Sequence, residues 1–269
     1  MQWLHLVTML VGCVVTGQWA AADATLKQVG DVHIAVEMLG HSGPPIVFES
    51  GLGEGIHSWG HVAPPLAACA RVVLYDRPGI GRSSPRAATG IVLASAVADR
   101  LAKLLRVIGA APPYILVGHS LGGLYVQSFA RRYPNNVAAV VLIDSASPFE
   151  PPGMFVSSVP FAPGSVAAAE EQGVAPSVAA MLAGPAFPSV PLFVLAAAGH
   201  GDTPAREAAW REVQARTAAL SPKGRLEIVE GSGHFIQNDR PQAVIAAILR
   251  AARESGADVS GCRVLPAGR

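Results

Sequence analysis

The chain has 269 residues, a formal net charge of +1, 51% hydrophobic residues and 14% charged residues. That length suits one sizeable α/β domain, and so even a charge balance points to neither a nucleic-acid partner nor an anionic surface. Much of the hydrophobic content is alanine, which favours helix, and beyond the N-terminus no second stretch is long enough to span a bilayer.

The N-terminus differs from the rest. Residues 4–15 are largely apolar and Ala20-Ala21-Ala22 follows as a small-residue cleavage signature. Residues 1–22 therefore read as a secretory signal peptide cut after Ala22, leaving 23–269 as an exported, periplasmic or secreted, domain. The alternative is a lipid anchor, because Leu10-Val11-Gly12-Cys13 matches a short bacterial lipobox in which Cys13 would carry the lipid, although Met1-Gln2-Trp3 holds no Lys or Arg. If Cys13 leaves with the signal, Cys69 and Cys262 remain. An even pair in an exported protein is a disulfide candidate, here one that would tie down the C-terminal tail; the other arrangement is two separately buried thiols.

In chain order, residues 32–38 alternate as a strand with one solvated face does, and 45–49 form a second short apolar strand. The latter runs into Ser50-Gly51-Leu52-Gly53-Glu54-Gly55, whose glycines exclude a helix interior and let the backbone approach a ligand closely. His57 and His61 lie four apart on an expected helix, but no third ligand accompanies them, so they read as surface or groove residues and no metal site is assigned. A buried strand at 71–75 leads to the turn-rich loop 76–83, whose polar residues are expected to satisfy one another and the backbone without chemistry. Residues 89–108 form a helix with Val97, Leu101, Leu104, Leu105 and Ile108 on one apolar stripe, stopped by Gly109 and Pro112-Pro113.

The run Ile115-Leu116-Val117 is apolar and rich in β-branched residues, as a strand buried on both faces should be. It enters Gly118-His119-Ser120-Leu121-Gly122, and a helix follows until Pro134. Strand, tight turn, serine, helix is the context of a nucleophile elbow. The turn is so sharp that a Cβ at either flanking glycine would clash, and the helix N-terminus favours negative charge developing at Ser120. The N–H of Leu121, just after the serine, and the N–H of Leu52 are the two candidate oxyanion donors.

Residues 137–143 are another apolar strand, closing at Asp144. From 145 to 190 proline and glycine are dense, with one helical patch at about 165–182; this is too long for an ordinary connection and reads as an inserted lid. Phe149, Met154, Phe155 and Phe161 either line an apolar pocket beneath it or hold it down. Regular order resumes with a strand at 191–196, a helix at 204–220, a last strand at 226–229 and a last helix at 241–254. Strands alternating with helices give an α/β fold, a mostly parallel sheet covered on both faces.

A serine hydroxyl needs a base. His234, in Gly231-Ser232-Gly233-His234-Phe235 after the final strand, opens at the same sheet edge as Ser120. The acid is expected at Asp202, in Gly199-His200-Gly201-Asp202, with Asp144 as the alternative.

Together, the segments 50–53, Tyr75-Asp76-Arg77-Pro78-Gly79-Ile80-Gly81-Arg82-Ser83, 118–123 and 231–235 resemble the α/β-hydrolase fold, in its lid-bearing esterase, lipase and haloperoxidase-like group. The resemblance implies an acid after the strand preceding the last, which Asp202 fits, although some relatives carry it where Asp144 stands. Ser50 occupies a position where many relatives have histidine. The implied activity is a cofactor-free serine hydrolase acting on small-molecule esters; an amidase, lactonase, peptidase or perhydrolase on the same residues is the alternative, and a non-catalytic binding module the remaining one. Serine rather than aspartate at the nucleophile position speaks against haloalkane dehalogenase and epoxide hydrolase chemistry.

Overall fold

The computed structural model describes residues 24–85, 90–151, 154 and 161–262. The expected signal peptide, its cleavage point, Cys13 and Phe155 lie outside the described residues.

The described elements run β1 (Thr25–Val29), β2 (Val32–Leu39), β3 (Pro45–Glu49), α1 (Ala63–Leu66), β4 (Arg71–Tyr75), α2 (Ala94–Val107), β5 (Tyr114–His119), α3 (Leu121–Arg132) and β6 (Val137–Ile143). Then come α4 (Val166–Gln172), α5 (Val174–Ala183), β7 (Leu192–Ala197), α6 (Pro204–Ala218), β8 (Gly224–Val229), α7 (Ile236–Asp239) and α8 (Pro241–Glu254). The strands form one eight-stranded sheet in the order β1-β2-β4-β3-β5-β6-β7-β8. From β4 to β8 every pairing is parallel, while β2 is antiparallel to both β1 and β4. The expected α/β architecture is therefore present, with an antiparallel hairpin added at one edge. β1 has no counterpart among the strands expected from the sequence; the hairpin turns through Gly30-Asp31, with Gly30 at φ +65.

The central strands read as unbroken apolar runs because both faces are buried, yet their residues still alternate between two cores. Ile46, Phe48, Ile115 and Val117 pack into a core closed by Trp59 and by Val244, Ile245 and Ile248 of α8. Val47, Leu116, Val140 and Leu142 face the other way, onto Leu101, Leu104 and Leu105 of α2 and Val126 and Phe129 of α3. Of the stripe expected on α2, Leu101, Leu104 and Leu105 form that buried face with Ile108 partly buried at its end, while Val97 packs instead with Leu121, Leu124 and Tyr125.

Two expected helices are divided. The 57–66 region is a short 3-10 turn at Ile56–Trp59 followed by α1, because Pro64 and Pro65 limit it; His57 and His61 are exposed. The 165–182 patch is α4 and α5, broken at Gly173, where a Cβ would overlap the carbonyl of Val92. Cys69, between α1 and β4, forms a disulfide with Cys262, their Cα atoms 5.1 Å apart, so the tail beyond α8 is fastened to the body. No described helix is long and apolar enough to cross a membrane.

Candidate active site

Parallel strands bring their C-terminal ends to one edge of the sheet, where clefts open. β3, β5, β6, β7 and β8 deliver there, in turn, the loop 50–55, Ser120, Asp144, His200 and His234. Ser120 sits between β5 and α3 at φ 51, ψ −124, a left-handed conformation that costs a side-chain-bearing residue about 1–3 kcal/mol. Its surroundings hold it there: the Ser120 N–H donates to Ile143 O (3.0 Å), and its carbonyl accepts from Gly123 N (2.9 Å) and Ala146 N (3.0 Å). A Cβ on Gly118 would lie 2.7 Å from Gly122 O and from Gly123 Cα. A Cβ on Gly122 would run into the carbonyls of Glu49 and Ser50, so this glycine is required by the end of β3 as well as by the turn.

His234 follows β8 and faces the serine. Its Nε2 lies 3.0 Å from Ser120 Oγ, and its Nδ1–H donates to Asp144 Oδ2 at 2.7 Å. Both ring nitrogens are thus engaged. Asp144, fully buried at the end of β6 and itself at φ 40, accepts on its other oxygen from Ala197 N (3.0 Å) and from Trp210 Nε1 (2.8 Å). Burial opposes its ionisation, but the hydrogen bonds from His200 and His234, the charge of His234 and the Ala197 N–H together hold its carboxyl well below the usual range.

Of the two carboxylates expected for the acid, the structure places the alternative, Asp144, beside His234 and does not place Asp202 there. Three contacts hold Asp202 elsewhere. Its backbone N–H is drawn to Glu207 Oε1 (3.2 Å), and its carboxylate turns to the start of α6, accepting from Thr203 N (2.7 Å) and pairing with Arg206 Nε (2.9 Å). What the 199–202 loop brings to the site is His200. Its Nε2–H donates to the same Asp144 Oδ2 at 2.7 Å, and its Nδ1–H donates to Glu207 Oε2 at 3.1 Å. Flanked by two carboxylates, the imidazole is raised to about 9, the Asp144 hydrogen bond leading, burial opposing and Glu207 adding. Among the described residues, Asp144, His200 and His234 bring three metal-capable atoms within 4.8 Å, but the carboxylate-to-nitrogen spacings of 2.7 Å are those of hydrogen bonds already made.

Leu52 and Leu121 border the same cavity as Ser120 and His234, and neither of their backbone N–H groups has a hydrogen-bond partner among the described residues. The cavity holds about 450 Å³. Ala146, Phe161 and Val174 give it apolar wall, and Glu150, Glu171 and Asp202 give it carboxylates; no lysine or arginine is among its described lining residues. Phe161 therefore lines the cavity as one of its two readings required, whereas Phe149 lies under the Arg216 guanidinium, 4.5 Å from ring centroid to Cζ. Glu150, whose Oε1 accepts from Ser147 N at 2.7 Å, is pushed up to about 7 by burial.

Three residues given no role by the sequence reading turn out to brace this edge. His119, inside the elbow, reaches Glu54 Oε2 with Nδ1 (3.0 Å) and His234 O with Nε2 (3.0 Å), joining the 50–55 loop to the His234 loop. His200 completes the acid's surroundings. Arg77, in the loop expected to satisfy only itself, is buried and donates to Glu49, Glu170 and the carbonyls of Ser50 and Gly51. Its neighbour Asp76 does behave as expected, capping Ile56 N (2.9 Å) and Arg82 N (3.0 Å). The sequence signals at Arg77 were a charge beside an apolar strand and its place in the 75–83 segment that carries the fold resemblance; neither pointed to its buried partners.

Comparison with known proteins agrees with this architecture. The alpha/beta hydrolase fold family model matches residues 44–208. An uncharacterised Schizosaccharomyces pombe protein is 36% identical over 113 residues, 40% of this chain and 20% of that protein. A fluoroacetate dehalogenase from Burkholderia sp. is 35% identical over 125 residues, 45% of this chain and 40% of that protein. The chain thus spans well under half the length of these two curated relatives. A thermophilic esterase from Thermogutta terrifontis superposes with a TM-score of 0.66 at 21% identity, over 87% of this chain and 99% of that one, a likeness of fold. With the family model covering more than half of its length and the sheet and edge loops arranged as that fold requires, the chain belongs to the α/β-hydrolase-fold family.

Proposed function

We propose that the protein is a serine hydrolase that cleaves carboxylic esters of small molecules through an acyl-enzyme. The observation that carries this reading is the continuous chain from Ser120 Oγ to His234 Nε2 (3.0 Å) and from His234 Nδ1 to Asp144 Oδ2 (2.7 Å). His234 takes the hydroxyl proton as Ser120 attacks the carbonyl carbon, and Asp144 orients the ring and stabilises its cationic form. The Leu52 and Leu121 N–H groups receive the oxyanion, each contributing about 3 kcal/mol of barrier lowering. The alcohol leaves with the proton from His234, and water activated by the same imidazole releases the acid.

The dehalogenase among the relatives raises a second chemistry, displacement at a saturated carbon. That route needs a nucleophile whose alkylated form water can cleave; a carboxylate gives an ester, whereas Ser120 would give a stable ether. Serine therefore favours acyl transfer. Amides and lactones are attacked by the same groups, as is the acyl-enzyme by peroxide in place of water, so the acyl acceptor and leaving group are set by the cavity. Its carboxylates favour neutral or cationic esters over anionic ones. In this reading the 145–190 segment acts as a lid, and the Cys69–Cys262 bridge supports export to an oxidising compartment.

The test is hydrolysis of p-nitrophenyl esters from acetyl to long acyl by the wild type and Ser120→Ala, with fluorophosphonate labelling in parallel. Ester turnover and labelling that both vanish in the variant uphold the proposal. Turnover of amides or lactones but not esters shifts it to those substrates, and absence of labelling in the wild type ends it.

A further inference from the structure

We infer that Arg77 is a positioning residue for the Leu52 oxyanion donor, anchored by Glu170 from the segment between β6 and β7; this rests on the reading of Ser120 as the nucleophile. A trans peptide carries its C=O and N–H on opposite edges of one plane, so whatever fixes the carbonyl also aims the amide. The plane in question joins Gly51 to Leu52. Its carbonyl is held from two sides, by Arg77 Nη2 at 2.6 Å and by Glu54 N at 3.1 Å. The Leu52 N–H on the opposite edge is thereby turned away from Arg77, at a residue that borders the Ser120 cavity.

The guanidinium is itself immobilised. Nη1 donates to Glu49 Oε1 (2.8 Å) and Ser50 O (2.7 Å), Nε donates to Glu170 Oε1 (2.6 Å), and Nη2 donates to Glu170 Oε2 (3.2 Å) as well as to Gly51 O. All five N–H bonds are used, which a lysine with three donors on one atom does not reproduce. Glu170 Oε2 also accepts from Gly53 N at 3.1 Å, so the same carboxylate that seats Arg77 grips the loop one residue beyond Leu52. Donation from a buried cation to the Gly51 carbonyl further polarises the N–H of the same peptide. Arg77, Glu49 and Glu170 do not line the Ser120 cavity, so their effect on the reaction passes through the loop rather than through contact with substrate.

Removing one member of a buried ion pair also threatens the fold, so loss of bulk activity proves nothing. The experiment therefore uses the full chain as wild type, Arg77→Lys and the milder Glu170→Gln, with active sites counted by fluorophosphonate and ester kinetics expressed per titrated site. The exposed pair Asp99–Arg132, opened by Asp99→Ala, is the control for a lost ion pair far from the loop. Positioning predicts that kcat per titrated site falls about 10- to 100-fold in Arg77→Lys and less in Glu170→Gln, with KM within about 3-fold. Binding of an arylboronic acid, which mimics the tetrahedral anion, weakens in parallel. In selectively 15N-leucine-labelled protein the Leu52 amide resonance shifts in both variants, a readout that needs no turnover. Fewer titratable sites with unchanged kcat per site, or an unmoved Leu52 resonance, overturns the inference. Absence of labelling and turnover in the wild type would instead overturn the serine-hydrolase reading, and the catalytic sense of this one with it.

Discussion

His200 and His234 donate to the same oxygen of Asp144, each at 2.7 Å. The two rings approach that oxygen from different loops, one after β7 and one after β8. The remaining oxygen is closed by Ala197 N and Trp210 Nε1, so the carboxylate is fully subscribed and free to neither rotate nor meet water.

Asp144→Asn should therefore lower kcat/KM by about 10⁴-fold, because an amide on the His234 side stabilises the wrong tautomer and no cation. Asp202→Asn should stay within about 3-fold, since an exposed pair such as Asp202–Arg206 contributes little. Steady-state kinetics of the two purified variants decides it; equal losses would return Asp202 to the site.

His200→Gln tests the second histidine through stability. Folded His200 is raised to about 9 from 6.5, so the native state binds that proton more tightly than the unfolded chain does. The stabilisation it brings is complete below the unfolded value and is lost as pH rises through the folded one. Thermal unfolding across pH 5–10 should show a wild-type advantage over His200→Gln that is level at low pH and shrinks between about 6.5 and 9. A difference independent of pH would mean that His200 stays neutral.

The site divides into what periodicity and turn chemistry encode and what long-range packing decides. Ser120 was legible because its strand, its glycines and its helix are adjacent in sequence. His234 was legible because the final strand and helix frame its loop. The choice between Asp144 and Asp202 was not, since both end parallel strands at one edge. In the structure it is Asp144 that meets His234, 90 residues away in the chain, while Glu207 holds the backbone of the competing loop. Arg77 escaped for a similar reason: its partners Glu49 and Glu170 are 28 and 93 residues away, and nothing local distinguishes a buried guanidinium from a solvated one. The break between α4 and α5 likewise depends on the carbonyl of Val92, far off in the chain, crowding Gly173.

The Cys69–Cys262 bridge closes a loop with a sequence separation of 193 and fastens the tail beyond α8 to the α1–β4 connection. Thiol counting in denatured protein should find both cysteines only after reductant. Removing a native bridge costs about 2–5 kcal/mol, so the reduced protein, or the Cys69→Ser/Cys262→Ser variant, should melt roughly 5–15 °C lower. Equal thiol counts with and without reductant would show that the bridge does not form.

Glu150 places a carboxyl on the wall of the cavity that holds Ser120, with its ionisation pushed up to about 7 by burial. The folded state thus holds this proton more tightly than the unfolded chain, whose value is 4.5. Stability relative to Glu150→Gln should fall as pH rises from about 4.5 through 7, because only the wild type must bury a developing charge. Glutamine keeps an acceptor for Ser147 N, so the comparison isolates the charge. The same titration should gate substrates. Above pH 7 the wild-type cavity carries an added negative charge, and KM for an anionic ester such as p-nitrophenyl hemisuccinate should climb with pH, while KM for the neutral butyrate ester stays level. In Glu150→Gln the two esters should respond to pH alike. A wild-type enzyme that treats both esters alike from pH 5.5 to 8.5 would place the Glu150 charge out of reach of bound substrate.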